Sequence, residues 1–487
     1  MNVLGKVQAE ANAEVYAVAS GAIGTDKTCI VNSDGTVSVV DPGATAKGTE
    51  VEFNNSDTSV IGSAFDSNSN KVVIFYENDQ DSDNLTAIVG TVNPSDNSIS
   101  FGSPVVVSSG SRPRSASLSC IFDSNSNKVV ISWSDQNNSF YGTAIVGTVS
   151  STSISFGTAV VFESANTLAP NITFDSNSNK AVICYRDAGN SSYGTCIVGT
   201  VSSTSISFGS AATFNSSNTR VPKATFDSNS NKVVVAFFDY GDGNKGKAVV
   251  GTVSSTSISF GSVATYAGVN LNGYASGITF DSNSNKVVIA YGDDANSAHG
   301  KAIIGTVSGT SISFGTAVTF EAASTIVENA VFDPTTNKVC IAYVDSGNSS
   351  YGTLAVGSVS GTSISFETPF VFHEGTSNRC PLVKDSNANR VVIPFQGAAN
   401  DGFAIVIAVG AGTTLTTENY IGISNAAYAS GQTATIQAAG SVNTGQSSLT
   451  IGQQYFVQGD GTLGLSADDP SVIAGTAVSA TNIIVKG

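Results

Sequence analysis

FDSNSNKAVICYRDAGNSSYGTCIVGTVSSTSISFGS, residues Phe174–Ser210, decides how this chain folds. It contains strand-like runs separated by Gly, Asn, Asp and Ser. Lys180–Arg186 (KAVICYR), Thr195–Val201 (TCIVGTV) and Ser205–Phe208 (SISF) are β-branched or aromatic, and Asn171–Phe174 precedes them. The motif returns along the chain. Its Phe-Asp start falls at Phe65, Phe122, Phe174, Phe226 and Phe280, and in altered form at Phe332 and Lys384, with spacings of 57, 52, 52, 54, 52 and 52 residues. A repeat of this period defines the architecture before anything else does. The second run of each unit (VVI, AVI, VVV) is apolar on both faces, which places it inside stacked sheets. Four short strands per unit and seven units predict an all-β fold, a seven-bladed β-propeller with a repeat of about 52 residues.

Closure can be tested by counting. The inner pieces occur seven times, but SISF occurs only six times, ending at Phe101, Phe156, Phe208, Phe260, Phe314 and Phe366. The missing fourth strand is expected from the N-terminus, in Thr36–Val40 (TVSVV); Cys29–Val31 (CIV) resembles the third strand, so one or two N-terminal strands would close the ring. The last blade would take its other strands from Val383–Val409. The expected division is an N-terminal segment (1–26), the propeller (27–410) and a small C-terminal β module (411–487) for oligomerisation or attachment. In the module, Gly459-Asp460-Gly461 reads as a hairpin turn.

Composition narrows the partners. Only 12% of residues are charged, the net charge is −16 and the pI is about 4.4. That opposes nucleic-acid binding, which needs a basic stripe, and an anionic membrane surface. No apolar run is long enough for a transmembrane helix. Met1–Asn12 carries Lys6 but no apolar stretch, so no secretory signal is expected. Six cysteines show no metal-ligand spacing. Cys184 and Cys196 flank one hairpin symmetrically, but the expectation is six buried thiols.

The run FDSNSNKVVIAY, with NSSYGTAIVGTVSSTSISFG, resembles the tandem repeat of propeller-like proteins encoded by marine phages. The tail (Tyr420-Ile-Gly-Ile-Ser, Leu449-Thr-Ile-Gly-Gln-Gln-Tyr455, Ala480-Thr-Asn-Ile-Ile-Val-Lys-Gly487) is similar to a module at the C-terminus of phage fibre proteins. The resemblance implies a virion component, a tail fibre or similar appendage, assembled in the host cytoplasm and released extracellularly. It implies a homotrimer in contact with other virion proteins, and no chemistry.

Differences among repeats point to a face. The turns DSNSN and SST are nearly constant. The linkers between repeats are individual: SSGSRPRSAS (108–117), ESANTLAP (163–170), NSSNTRVPK (215–223), AGVNLNGYAS (267–276), EAASTIVEN (321–329) and HEGTSNRCP (373–381). Loops on a rigid scaffold are where binding usually resides. The linker face also carries the loop after the second strand, with Asp135, Asp187, Asp239, Asp293 or Asp345 two residues beyond a terminal aromatic. Seven residues after each Asp comes a Gly, preceded by Tyr141, Tyr193, Lys245, His299 or Tyr351. The structural reading is that the Asp caps loop amides, the Gly allows positive φ or a close approach, and the aromatic packs between blades. The functional reading is an acidic, aromatic-rimmed ring for a cation or a saccharide, with Arg112 and Arg114 available for an anionic glycan group. The five aspartates, Tyr141, Tyr193, His299 and Tyr351, with Arg112 and Arg114, are the expected ligand-binding set.

Chemistry is otherwise sparse. His299 and His373 are the only histidines, and no HExxH, G-x-S-x-G or P-loop occurs. No catalytic residues, cofactor or metal are expected. DSNSN invites comparison with a calcium loop, but that loop needs Gly at position six and Glu at twelve. Here position six is Lys, and of the twelfth residues (Glu77, Ser134, Arg186, Phe238, Gly292, Val344) only Glu77 fits. With the virion setting that the resemblance implies, the expectation is a non-enzymatic virion protein presenting a propeller face to a host-surface polysaccharide. A polysaccharide-degrading hydrolase and an architectural spacer are the alternatives.

Overall fold

The computed structural model describes residues 13–486 apart from 21, 33, 41–44, 272–275, 411–414, 459–460 and 468–469. Among these, strands and single-turn 3-10 helices are the only regular elements. The chain divides into two units: Ala46–Val409, and Met1–Thr45 together with Gly410–Gly487.

The larger unit is built from one sheet plan used seven times. In the third repeat, the end of Val160–Asp175 pairs with Lys180–Asp187, which pairs with Tyr193–Ser202. The start of Tyr193–Ser202 then pairs with Ala212–Asn215 and its end with Ser205–Phe208. All pairings are antiparallel. In two places a single long strand, Val160–Asp175 or Val318–Asp333, serves successive repeats, so seven repeats form five sheets. The second strands are buried on both faces, as their unbroken apolar pattern requires. Val182, Ile183 and Cys184 are fully buried. Each such Val or Ile contributes roughly 1.5–3 kcal/mol relative to exposure.

Neighbouring repeats share cores. Val130, Ala144 and Val146 of the second pack with Ala181, Ile183 and Tyr185 of the third. Val72, Ile74 and Tyr76 of the first pack with Val392, Ala404 and Val406 of the last.

The strand expected to complete the last repeat is corrected. Thr36–Val40 does not do so: Val37–Val39 pairs with Thr28–Val31 in the smaller unit. Ala46–Lys47 and Val51–Asn54 pair instead with Gly402–Ala408. They take the places that Ser205–Phe208 and Ala212–Asn215 hold in the third repeat. The boundary therefore falls at residues 45 and 46, not 26 and 27.

The smaller unit combines both chain ends. Its first sheet runs in the order Glu14–Val18, Thr433–Gln437, Tyr420–Ser424, Thr28–Val31, Val37–Val39. Its second contains Val442–Asn443, Ile483–Val485, Val472–Ala477, Gln454–Val457 and Leu463–Gly464. Ile30, Tyr420, Ile423, Tyr455, Val457 and Ile483 share one core. Gly459 and Asp460 of the expected turn lie outside the described residues, although the strands flanking them do pair.

Candidate functional site

The DSNSN turn is a closed hydrogen-bonding unit. In the third repeat the Asp175 Oδ1 accepts from the amides of Asn177 (2.9 Å) and Ser178 (3.0 Å), and Asn179 takes φ 54°. Asp66, Asp123, Asp227, Asp281 and Asp385 do the same with two amides each, and Asp333 with the amide of Thr335. Asn is among the few residues that tolerate the left-handed region. These aspartates are buried. Among the described residues no three His, Cys, Asp or Glu side chains are grouped as metal ligands.

The second-strand aspartates also turn inward. Asp135 accepts from the Ser111 hydroxyl and from the amides of Arg112 and Asn137. Asp187 caps the Asn190 amide, and Asp345 those of Gly347 and Asn348. Asp239 and Asp293 take Lys247 and Lys301 at 2.8 and 2.6 Å. All five are buried. Tyr141, Tyr193, His299 and Tyr351 stand opposite them in register, half-buried. The glycine that follows serves close approach and not positive φ: a Cβ on Gly194 would enter the Phe214 ring. The terminal aromatics pack between repeats, for example Phe162 against Tyr185 at 5.3 Å between centroids. Arg112 is engaged by Glu77 and Asp83, both at 2.7 Å. A hydrogen bond with Asp79 holds Asp83 up at about 6. Arg114 lies over the Phe140 ring at 5.0 Å.

The linker ends of the inner strands enclose a cavity of about 660 Å3, lined by all seven repeats. None of the residues expected from the sequence to bind ligand lines it. Its wall is set by the residue three before the motif Phe: Ser119, Asn171, Lys223 and Asn329 in repeats two, three, four and six. Asn171 stitches neighbours together. Its Nδ2 donates to Ser119 Oγ (3.2 Å) and its Oδ1 accepts from the Ala224 amide (2.8 Å). A bulge just before this residue aims the wall inward, with register breaks between Leu168 and Asn171 and between Arg220 and Lys223. Ala169, Val221 and Arg379 there have φ of 45°, 43° and 51°. For β-branched Val221 that conformation is costly, and such strain gathers at functional sites.

Lys223, Glu328 and Arg379 are the charged side chains of the wall. Burial pushes Glu328 up, while Arg379, Lys223 and a hydrogen bond from the Arg379 amide pull it down. Burial pushes Lys223 down, opposed by Glu328. Two cations face one carboxylate, in a molecule whose total charge is −16. The Oγ atoms of Ser63 and Ser276 are buried in the lining without a hydrogen-bond partner. Cations, amides and unsatisfied hydroxyls around one cavity suit a ligand rich in hydroxyl groups. The sequence did carry a signal for this wall. Lys223, Ser276, Glu328, Asn329 and Arg379 all lie in the last residues of the individual linkers.

One cysteine expectation is corrected. Cys184 and Cys196 form a disulfide, being directly opposed across the hairpin with Cα atoms 4.0 Å apart. Cys29, Cys340 and Cys380 are buried thiols, and Cys120 is half-buried.

The sequence matches no protein-family profile and no curated protein. Among solved structures, the BP39L lectin from Burkholderia pseudomallei aligns with TM-score 0.54 at 10% identity, covering 76% of this chain and all of the lectin. The periplasmic gluconolactonase PpgL from Pseudomonas aeruginosa aligns at 0.48 with 11% identity, covering 74% of this chain and 97% of its own. A mutant of AofleA from Arthrobotrys oligospora aligns at 0.42 with 9% identity, covering 70% and 94%. The last two likenesses are too low to carry an argument. The first, with the repeated antiparallel sheets, supports a β-propeller fold and nothing about ligand or activity.

Proposed function

We propose that the larger unit is a closed seven-bladed β-propeller that binds a saccharide, as the recognition part of a non-enzymatic phage virion appendage. Three contacts between the first and last repeats support closure. A Cβ on Gly48 would meet the Asn97 carbonyl, as one on Gly157 would meet that of Thr204. Phe53 packs on Tyr76 at 5.1 Å, and Arg390 donates to Asn97 Oδ1 and to the Pro94 carbonyl.

The observation that carries the binding reading is the axial cavity. A frame repeated seven times ends in a wall whose residues differ from repeat to repeat. Its lining holds one carboxylate, Glu328, and no histidine among the described residues. Glycoside hydrolysis ordinarily uses a pair of carboxylates, which favours recognition over cleavage. The virion setting rests on the resemblance of the repeat and of the tail to phage fibre proteins. In that setting the smaller unit attaches the chain to its own copies, as a homotrimer, or to other virion proteins. Weak sites multiplied across protomers then reach useful avidity.

Titration of the full-length protein with fragments of host-surface polysaccharide tests the reading. Heat of binding, abolished by Glu328→Gln, is the expected result. Release of reducing ends during incubation would establish a hydrolase instead. Failure of every host polysaccharide to bind would leave an architectural spacer.

A further inference from the structure

Three arginines stand on the linker side of the successive repeats two, three and four, outside the cavity. Arg114 donates to Asn166 Oδ1 (3.3 Å), and the Asn166 carbonyl accepts from the Ala188 amide, two residues beyond Arg186. Arg186 donates to Ser192 Oγ (3.0 Å), and the Ser192 carbonyl accepts from the Thr219 amide, next to Arg220. Arg220 stacks over the Tyr240 ring at 4.1 Å. All three arginines are half-buried. Burial, then the charges of Arg220 and Arg114, hold Arg186 below the usual arginine range.

Several other cations meet acids: Arg112 with Glu77 and Asp83, Lys247 with Asp239 and Asp242, Lys301 with Asp293, Lys384 with Asp333. Among the described residues neither Arg114 nor Arg186 has an ion pair, although acidic residues outnumber basic ones by 37 to 21. The Arg186 Nε is buried with no acceptor. Folding gains nothing from placing the charges of Arg114 and Arg186 on adjacent repeats, so their repulsion is a cost that an anion would relieve. Aromatic faces under two of the arginines hold their planes in place, and planar guanidinium groups match oxyanions through paired N–H donors.

We propose that Arg114, Arg186 and Arg220 form a site for an oxyanion substituent, the carboxylate or sulfate ester of an acidic saccharide. The site is separate from the axial cavity and does not need that cavity to be occupied. A densely charged polyanion such as nucleic acid is disfavoured by the −16 charge of the whole chain.

The test is calorimetric titration of the full-length protein with three probes: a galacturonate trisaccharide, a sulfated galactan trisaccharide and the neutral galactan trisaccharide. At least one acidic probe is expected to bind more tightly than the neutral one, with affinity falling as salt rises, and the two acidic arms separate carboxylate from sulfate. Arg186→Gln and Arg114→Gln should each weaken the acidic probe about tenfold, the scale of one lost charge-assisted hydrogen bond. Neither should alter neutral binding. Arg114 lies half-exposed on Phe140, so its variant keeps the test valid if Arg186→Gln fails to fold. Equal binding of acidic and neutral probes would overturn the proposal, as would wild-type affinity in both variants. Acidic binding that is lost in Glu328→Gln but not in the arginine variants would sink this site while leaving saccharide binding in the cavity intact.

Discussion

Each inner strand has two ends, and the two behave differently. At the turn end, seven aspartates make nearly the same hydrogen bonds and seven asparagines take φ within 54–56°. At the linker end, the wall residue is Ser119, Asn171, Lys223 or Asn329, and the backbone bulges into conformations that cost energy. The turn end faces its own backbone, so any change there leaves a buried amide unsatisfied. The linker end faces a cavity, so side chains there change without opening the sheet. Sameness marks where the fold is held, and difference marks where a ligand would be read.

The largest expected effect tests whether one repeat departs from the rest. Only the third carries a cross-strand disulfide; its sisters place Ala236 opposite Ala248 and Ala290 opposite Ala302 at those positions. Replacing both Cys184 and Cys196 by Ala should cost about 3 kcal/mol, as expected for opening a short loop. Guanidinium denaturation reads this, and reductant should bring the wild type to the same midpoint. An unchanged midpoint would mean that the repeats are equivalent in stability. Next, Asp227→Ala strips two amides and the Ser230 hydroxyl of their acceptor. A loss of about 2 kcal/mol follows, with saccharide affinity unchanged in the folded fraction. Lost affinity at wild-type stability would invert the assignment of the two ends.

The turn end could be read from the sequence because its chemistry is local: Asp, then Asn four residues on, specify a turn without help from the rest of the chain. The buried second strands were equally readable from unbroken apolar runs such as Val233–Val235. The completing strand was misplaced because Thr36–Val40 has the better strand composition. Ala46–Lys47 is weak by that measure, and only the five-residue step from Gly48 to Phe53, shared with Gly209 to Phe214, betrays it. The loop aspartates repeat as a ligand ring would, yet loop amides hold Asp135, Asp187 and Asp345, and Lys247 and Lys301 hold Asp239 and Asp293. The cavity wall was hidden for a geometric reason. The linkers are visibly individual, but which of their residues face the cavity depends on the left-handed backbone at Ala169, Val221 and Arg379. Arg114, Arg186 and Arg220 are scattered in sequence and meet only because successive repeats stand side by side.

Two smaller effects probe the linker side itself. Lys223→Met should change stability by under about 1 kcal/mol, since relief of a half-buried ammonium is offset by Glu328 losing one of its two cations. Saccharide affinity should fall about tenfold. A large stability loss with unchanged affinity would return Lys223 to the frame.

The smallest effect concerns Asp83, raised to about 6 by its hydrogen bond with Asp79, then by burial, against the pull of Arg112. Its folded value lies above the unfolded value of about 3.9, so the folded state holds the proton more tightly. Its contribution to stability should therefore increase as pH falls through about 6 toward 4, and be absent at neutral pH. The loop is partly exposed, so the gain is a few tenths of a kcal/mol at most. Burial also pushes Glu328 and Asp385 up, so the measurement is the difference in thermal midpoint between wild type and Asp79→Asn across that range. The variant should lack part of the rise. A wild-type midpoint that instead falls faster than the variant's would mean that Asp83 acts chiefly as the partner of Arg112. In that case the acids of the first repeat hold the frame by ion pairing, and the linker side is less free to vary than the cavity wall suggests.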